Sequence, residues 1–225
     1  MTTAETMRNK AVVPIFALAG LILMTAPVLV ARAPYESTMG LVQKIFYFHM
    51  PPAMLMLLSA IFCGIVSGIF LIKRRPVYDW MAYGAAELTV LYGAMAMVTG
   101  PLWARKAWGV WWIWDARLTM SFLLWMIFIS YILLRRYGGP GSEMLAAGLA
   151  VFGMATSPFV YLSVNIWRTI HPLTSVVPTL PVDFAFPLWY SFAGFLLMYV
   201  SLLMLRMSIE RQRAMLDQLY LESEE

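Results

Sequence analysis

The chain has 225 residues, 61% of them hydrophobic and only 12% charged, and its mean hydropathy is +0.74. Soluble domains average roughly 45–50% apolar and 25% charged residues, so an ordinary soluble enzyme, a coiled coil and a disordered chain are excluded, and an all-α polytopic membrane protein is indicated. The net charge of +4 is spread between apolar runs, which gives no support to nucleic-acid binding, and the single cysteine, Cys63, permits neither an internal disulfide nor a C-x-x-C-H haem-attachment motif.

Runs free of Asp, Glu, Lys and Arg predict six transmembrane helices, each able to supply the roughly 17 residues that cross about 30 Å of hydrocarbon. The first, Ala11 to Ala31, follows Arg8 and Lys10. Ala31-Arg32-Ala33 looks superficially like a signal-peptidase site, but a 21-residue uncharged run exceeds a usual signal-peptide core of roughly 7 to 15, so the segment is read as a retained helix. The second run, Ile45 to Ile72, opens with His49-Met50-Pro51-Pro52. Proline removes an amide donor and fixes φ, which places the imidazole just before an expected helix break. Cys63, inside this run, reads as packing.

After the basic turn Lys73-Arg74-Arg75 comes Leu88 to Ala104, a helix predicted to begin near Trp80 and interrupted by Glu87. An acid about two turns from a membrane edge is either a structural or partner contact or a station on a ligand route, and the sequence leaves both open. Leu118 to Leu134 ends in Arg135-Arg136, whose stems can snorkel; Met144 to Trp167 leads into a Pro-rich loop holding His171-Pro172; Phe184 to Leu205 is the sixth run. From about residue 206 to 225 charges of both signs alternate with Met207, Ile209, Met215, Leu216 and Leu219, consistent with a helix continuing beyond the membrane, read as a solvated anchor in preference to a docking helix. The whole chain, 1–225, is read as a single integral-membrane domain.

Orientation follows from the cations. With the N-terminus inside, ten Lys and Arg residues lie on the inner side and six (Arg32, Lys44, Arg105, Lys106, Arg117 and Arg168) on the outer, and the clusters 73–75 and 135–136 share one side. The positive-inside rule then predicts an N-in, C-in bundle with both histidines outside.

The strongest chemical signal is Trp108-Gly-Val-Trp111-Trp112-Ile-Trp114-Asp115-Ala-Arg117, preceded by Trp103. Five of nine tryptophans fall within twelve residues of an outer loop, whereas an interfacial aromatic belt distributes its indoles over many loops. If the segment is helical, Trp108, Trp111, Trp112 and Asp115 share one face and form an outward-facing interfacial π platform suited to a large planar ligand such as a porphyrin. Neutral imidazole suits iron, so His49 and His171 make a plausible axial pair. Asp115 would repel haem propionates and is better cast as a partner of Arg117 or as an orienter of the loop or a histidine. Arg105, Lys106, Arg117 and Arg168 are candidates for propionate contact or plain membrane-surface charges.

These segments resemble the CcmC family of cytochrome c maturation, part of a wider haem-handling group with a Trp-rich motif ending in Asp. The resemblance covers nearly the whole chain: Lys44-Ile-Phe-Tyr-Phe-His49-Met-Pro51, Trp108-Gly-Val-Trp-Trp-Ile-Trp-Asp-Ala-Arg-Leu-Thr119, and Thr169-Ile-His171 with Ser175. It implies a non-enzymatic protein of the bacterial inner membrane that holds non-covalent haem b on its periplasmic face. His49 and His171 would be the iron ligands, with Trp108, Trp111, Trp112, Trp114, Asp115 and Arg117 around the macrocycle. It further implies delivery of haem to the chaperone CcmE and association with the transporter subunits CcmA and CcmB and the small CcmD protein. The larger relatives CcmF and CcsA carry additional histidines and spans; two histidines and six spans match the CcmC branch. Glu87 and the charged tail depart from the expected pattern. The alternatives are a haem transporter subunit, for which the apolar spans offer no polar pathway apart from Glu87, and a bis-His electron-transfer cytochrome, which usually needs more histidines.

Overall fold

The computed structural model describes residues 3–224, with side chains from 11 to 223; the side chains of Arg8 and Lys10, counted above among the inner charges, lie outside that range. Six helices follow one another: α1 (Thr3–Arg32), α2 (Phe46–Lys73), α3 (Pro76–Trp108), α4 (Ala116–Tyr137), α5 (Ser142–Ile166) and α6 (Val182–Glu224). All six are long and apolar enough to cross a membrane, and no strand occurs among the described residues. The expected multi-pass all-helical architecture is therefore present.

Two boundaries differ from the hydropathy reading. Helix α3 starts at Pro76, a turn before Trp80, because proline fits the first helical position without losing a needed donor. The turn before it is short since Arg74 takes a left-handed conformation (φ 55°) and ends α2 by donating its amide to the Phe70 carbonyl. Helix α2 also runs straight through Pro51 and Pro52 rather than breaking there. Both prolines are fully buried, and a 3-10 turn at Leu41–Ile45 feeds directly into the helix, so packing and continuity outweigh the two missing amide donors. His49 consequently lies in the first turn of α2.

Helix α2 is the centre of the bundle, packed on α3, α5 and α6, while α4 flanks α3 and α5, and α1 lies along α6. Close approach depends on small residues. A Cβ on Gly153 of α5 would sit 2.8 Å from the Phe128 ring of α4, and one on Gly64 of α2 would sit 2.9 Å from the Ala150 carbonyl of α5. Several buried polar groups are matched across helices: Ser59 donates to the Ala85 carbonyl (2.8 Å), Thr89 to Ser59 (2.9 Å), and Tyr92 to the Phe195 carbonyl (2.9 Å). Cys63 is buried with its thiol on the Ala82 carbonyl, which makes it a packing residue.

The two ends of the bundle differ in chemistry. At one end Arg135 pairs with Asp79 at 2.7 Å, and Arg206 pairs with both Glu87 and Glu210. Glu87 is thus a structural contact between α3 and α6. Helix α6 continues past this end to Glu224, as the alternating tail predicts. At the opposite end lie the 3-10 turn, the Trp-rich loop and the irregular 167–181 loop. There Lys44 donates to the carbonyls of Val30 (2.6 Å), Ala31 (3.1 Å) and Ala33 (2.6 Å), so one ammonium caps the end of α1.

Candidate functional site

The Trp-rich segment is not a helix. Gly109, at φ 77°, terminates α3 directly after Trp108, and residues 109–115 form an irregular link before Asp115 caps α4 through a 2.8 Å bond from the Leu118 amide to its carboxylate. The single face predicted for Trp108, Trp111, Trp112 and Asp115 therefore does not form. The indoles divide instead. Trp103, on α3, is 4% exposed and packs on Trp108 (ring centroids 5.4 Å apart), His49 (6.1 Å) and Phe46 (6.4 Å). Trp103, Trp108 and Trp112 line a cavity, whereas Trp111 and Trp114 face outward at 57% and 71% exposure. Trp114 leans edge-on against Trp112 and Phe122, and Trp111 lies under the Arg105 guanidinium.

Both histidines meet at this end. His49 and His171, with Trp103 and Arg117, line two adjoining cavities: one bounded by Trp108, Trp112 and α4, the other, of about 360 Å³, by Phe46, Met50, Tyr161 and the 172–178 loop. The hydrogen bonds fix how each imidazole is presented. The Thr99 hydroxyl donates to the Met95 carbonyl at 2.7 Å, so toward His49 Nδ1, 2.8 Å away, it can only accept. The proton of His49 is therefore on Nδ1, and Nε2 keeps its lone pair. His171 Nδ1 lies 3.0 Å from the Pro172 carbonyl, which also requires N–H there and leaves Nε2 as the lone-pair nitrogen. Gly100 makes room for the first ring, since a Cβ there would come within 3.3 Å of His49 Cε1.

His171 is held by its backbone as well. Its amide donates to Thr169 Oγ1 at 3.1 Å, and the Thr169 hydroxyl donates to the second oxygen of Asp115. Burial, with Arg117 nearby, pushes the His171 imidazole down to about pKa 4, against smaller opposing effects of the Pro172 bond and Asp115, so the ring is neutral at pH 7. Arg117 donates to the carbonyls of Val160 (2.6 Å) and Tyr161 (3.2 Å) of α5 rather than to Asp115. Arg105, Lys106 and Arg168 are exposed and line neither cavity. Thr99 and Gly100 carry no sequence signal of their own beyond being small residues near Pro101, and Thr169 enters only as part of the Thr169-Ile-His171 segment of the resemblance.

The donor set fits a metalloporphyrin. Two neutral imidazoles present unprotonated nitrogens beside two adjoining cavities walled in part by aromatic rings. The indole N–H groups of Trp103 and Trp112, two of the residues lining the first cavity, are buried with no acceptor among the described residues.

Fold and site together define a six-helix integral membrane protein with an aromatic, histidine-bearing cavity at one end. The sequence matches the family model "CcmC: Heme exporter protein C" over residues 2–220, and the chain belongs to that family. It is similar to heme exporter protein C of Bradyrhizobium diazoefficiens, at 33% identity over 76% of this chain and 68% of the relative. It is also similar to heme exporter protein C of Escherichia coli K12, at 29% over 84% and 81%, and to a putative cytochrome c biosynthesis ccmC-like mitochondrial protein of Marchantia polymorpha, at 30% over 72% and 71%. The chain is accordingly a multi-pass membrane protein of haem handling in cytochrome c maturation.

Proposed function

We propose that this protein holds haem b, non-covalently, between His49 Nε2 and His171 Nε2 and passes it to a soluble acceptor, the haem chaperone CcmE. The observation that carries this reading is the pair of Nδ1–H groups directed onto oxygen acceptors, which leaves both Nε2 lone pairs free in neighbouring walls of one aromatic site. Trp103, Trp108 and Trp112 would supply apolar area around the macrocycle, and Arg117 would meet a propionate. Trp111 and Trp114 stand outside the cavity, where they are available to the acceptor.

The basic clusters at the opposite end support a topology with both termini in the cytoplasm and the site on the periplasmic face of the inner membrane. Family membership supports assembly with CcmA, CcmB and CcmD. The protein itself performs no bond chemistry in this reading. His49 is fixed in a helix and His171 rides on a loop, so the second ligand can yield its place to the acceptor without disturbing the bundle.

Haem titration of the detergent-solubilised protein tests the ligand assignment. The wild type should give a six-coordinate low-spin spectrum, and His49→Ala combined with His171→Ala should abolish it. Unchanged haem content and band position in the double variant would refute the assignment.

A further inference from the structure

Asp115 closes the Trp-rich motif, yet it lines neither cavity. Its two carboxylate oxygens serve two different elements: one caps α4 through the Leu118 amide, the other accepts the Thr169 hydroxyl. Because that hydroxyl spends its only proton on the carboxylate, Thr169 Oγ1 is left as an acceptor, and the His171 amide occupies it at 3.1 Å. Residues 167–181 belong to no helix; Asn165 of α5 holds the far part of this loop through Thr174 (2.8 Å), while Thr169, two residues from His171, ties the near part to the capped start of α4.

We infer that Asp115 and Thr169 form a latch that positions His171: the carboxylate at the end of the Trp motif sets the place of the second imidazole through one threonine hydroxyl. This rests on the reading of His171 as an iron ligand. Asp115 is then a positioning residue, not a contact of the porphyrin. The link has a directional consequence. His49 is held through its ring by Thr99 on a neighbouring helix, whereas His171 is held through its backbone by a two-bond chain that starts next to the exposed Trp114. Displacing the Trp loop therefore loosens one ligand and spares the other.

The test compares Thr169→Val, which keeps the shape and removes the hydroxyl, with Thr169→Ser, which restores it. In the haem-free protein, hydrogen exchange at the His171 amide should be about tenfold faster in the valine variant and close to wild type in the serine variant, as expected for loss of one hydrogen bond. With haem, the valine variant should retain the ligand through His49 but show a high-spin fraction and replacement of the second ligand by added imidazole about tenfold faster. Should the valine variant fail to accumulate, Asp115→Asn carries the same readouts, because asparagine still caps α4 while losing the charge that holds the Thr169 hydroxyl. Wild-type exchange and spectrum in these variants would overturn the latch. If instead His171→Ala alone leaves the spectrum unchanged, the ligand assignment has failed, and faster exchange in the valine variant would then mark Thr169 as merely structural, which also overturns it.

Discussion

Replacing Thr99 by valine tests the presentation of His49 directly. The side chains are nearly isosteric, so the 2.8 Å neighbour of Nδ1 keeps its shape but can no longer accept a proton. The imidazole then has two courses. It can keep Nδ1–H buried without an acceptor, at about 1–3 kcal/mol, or move the proton to Nε2 and surrender the lone pair directed at iron. Either course weakens haem binding by about 10–100-fold, the usual effect of removing a metal ligand's hydrogen-bond partner. That range corresponds to about 1.4–2.8 kcal/mol, which agrees with the cost of the orphaned donor. The assay is a haem titration in detergent followed in the Soret region, with Thr99→Ser as the control that restores the hydroxyl. A Thr99→Val protein whose Kd lies within about twofold of wild type, far below the expected loss, would show that the Thr99 bond does not set the tautomer.

Other outcomes follow from the same structure. Because burial holds the His171 pKa near 4, below its ordinary value of 6.5, the ring remains an unprotonated ligand through the whole window between those values, and protons compete with iron only as pH falls through about 4. Equilibrium haem binding through this ligand should therefore be level from pH 8 to about 5 and fall below that, whereas an affinity that already declines through pH 6.5 would contradict the burial of the ring. Glu87→Ala should leave the haem spectrum untouched and lower the thermal midpoint by only about 2–4 °C, the equivalent of roughly 1 kcal/mol, since Arg206 keeps Glu210. A tenfold loss of haem affinity in that variant would instead place Glu87 on a ligand route.

The spans were legible because each crossing demands a long uncharged run, and that demand leaves little freedom to the composition of the chain. Helix ends were less so: Pro51 and Pro52 look like a break until their burial and the preceding 3-10 turn are taken into account. The Trp motif is conspicuous in the sequence, but the helical face expected for Trp108, Trp111, Trp112 and Asp115 runs through Gly109, whose positive φ ends the helix. Trp111, expected on one face with Trp108 and Trp112, instead points outward at 57% exposure while those two line the cavity. The histidines were visible as residue types, whereas what fixes their protons was not. Thr99 lies 50 positions from His49, and the Arg206 partner of Glu87 lies 119 positions away. Such pairings follow no local periodicity, and only the assembled bundle brings them together.

The Lys44 cap gives α1 a part in ligand geometry despite its remoteness from the cavity. Helix α1 leans on α6, but its last carbonyls grip an ammonium carried by the same 3-10 turn that delivers His49 to the site five residues later. The first membrane segment is therefore a splint as well as an anchor. An unrelated helix of equal length and hydropathy could restore insertion into the bilayer, yet without a terminus shaped to receive that cation it would leave the first imidazole out of register.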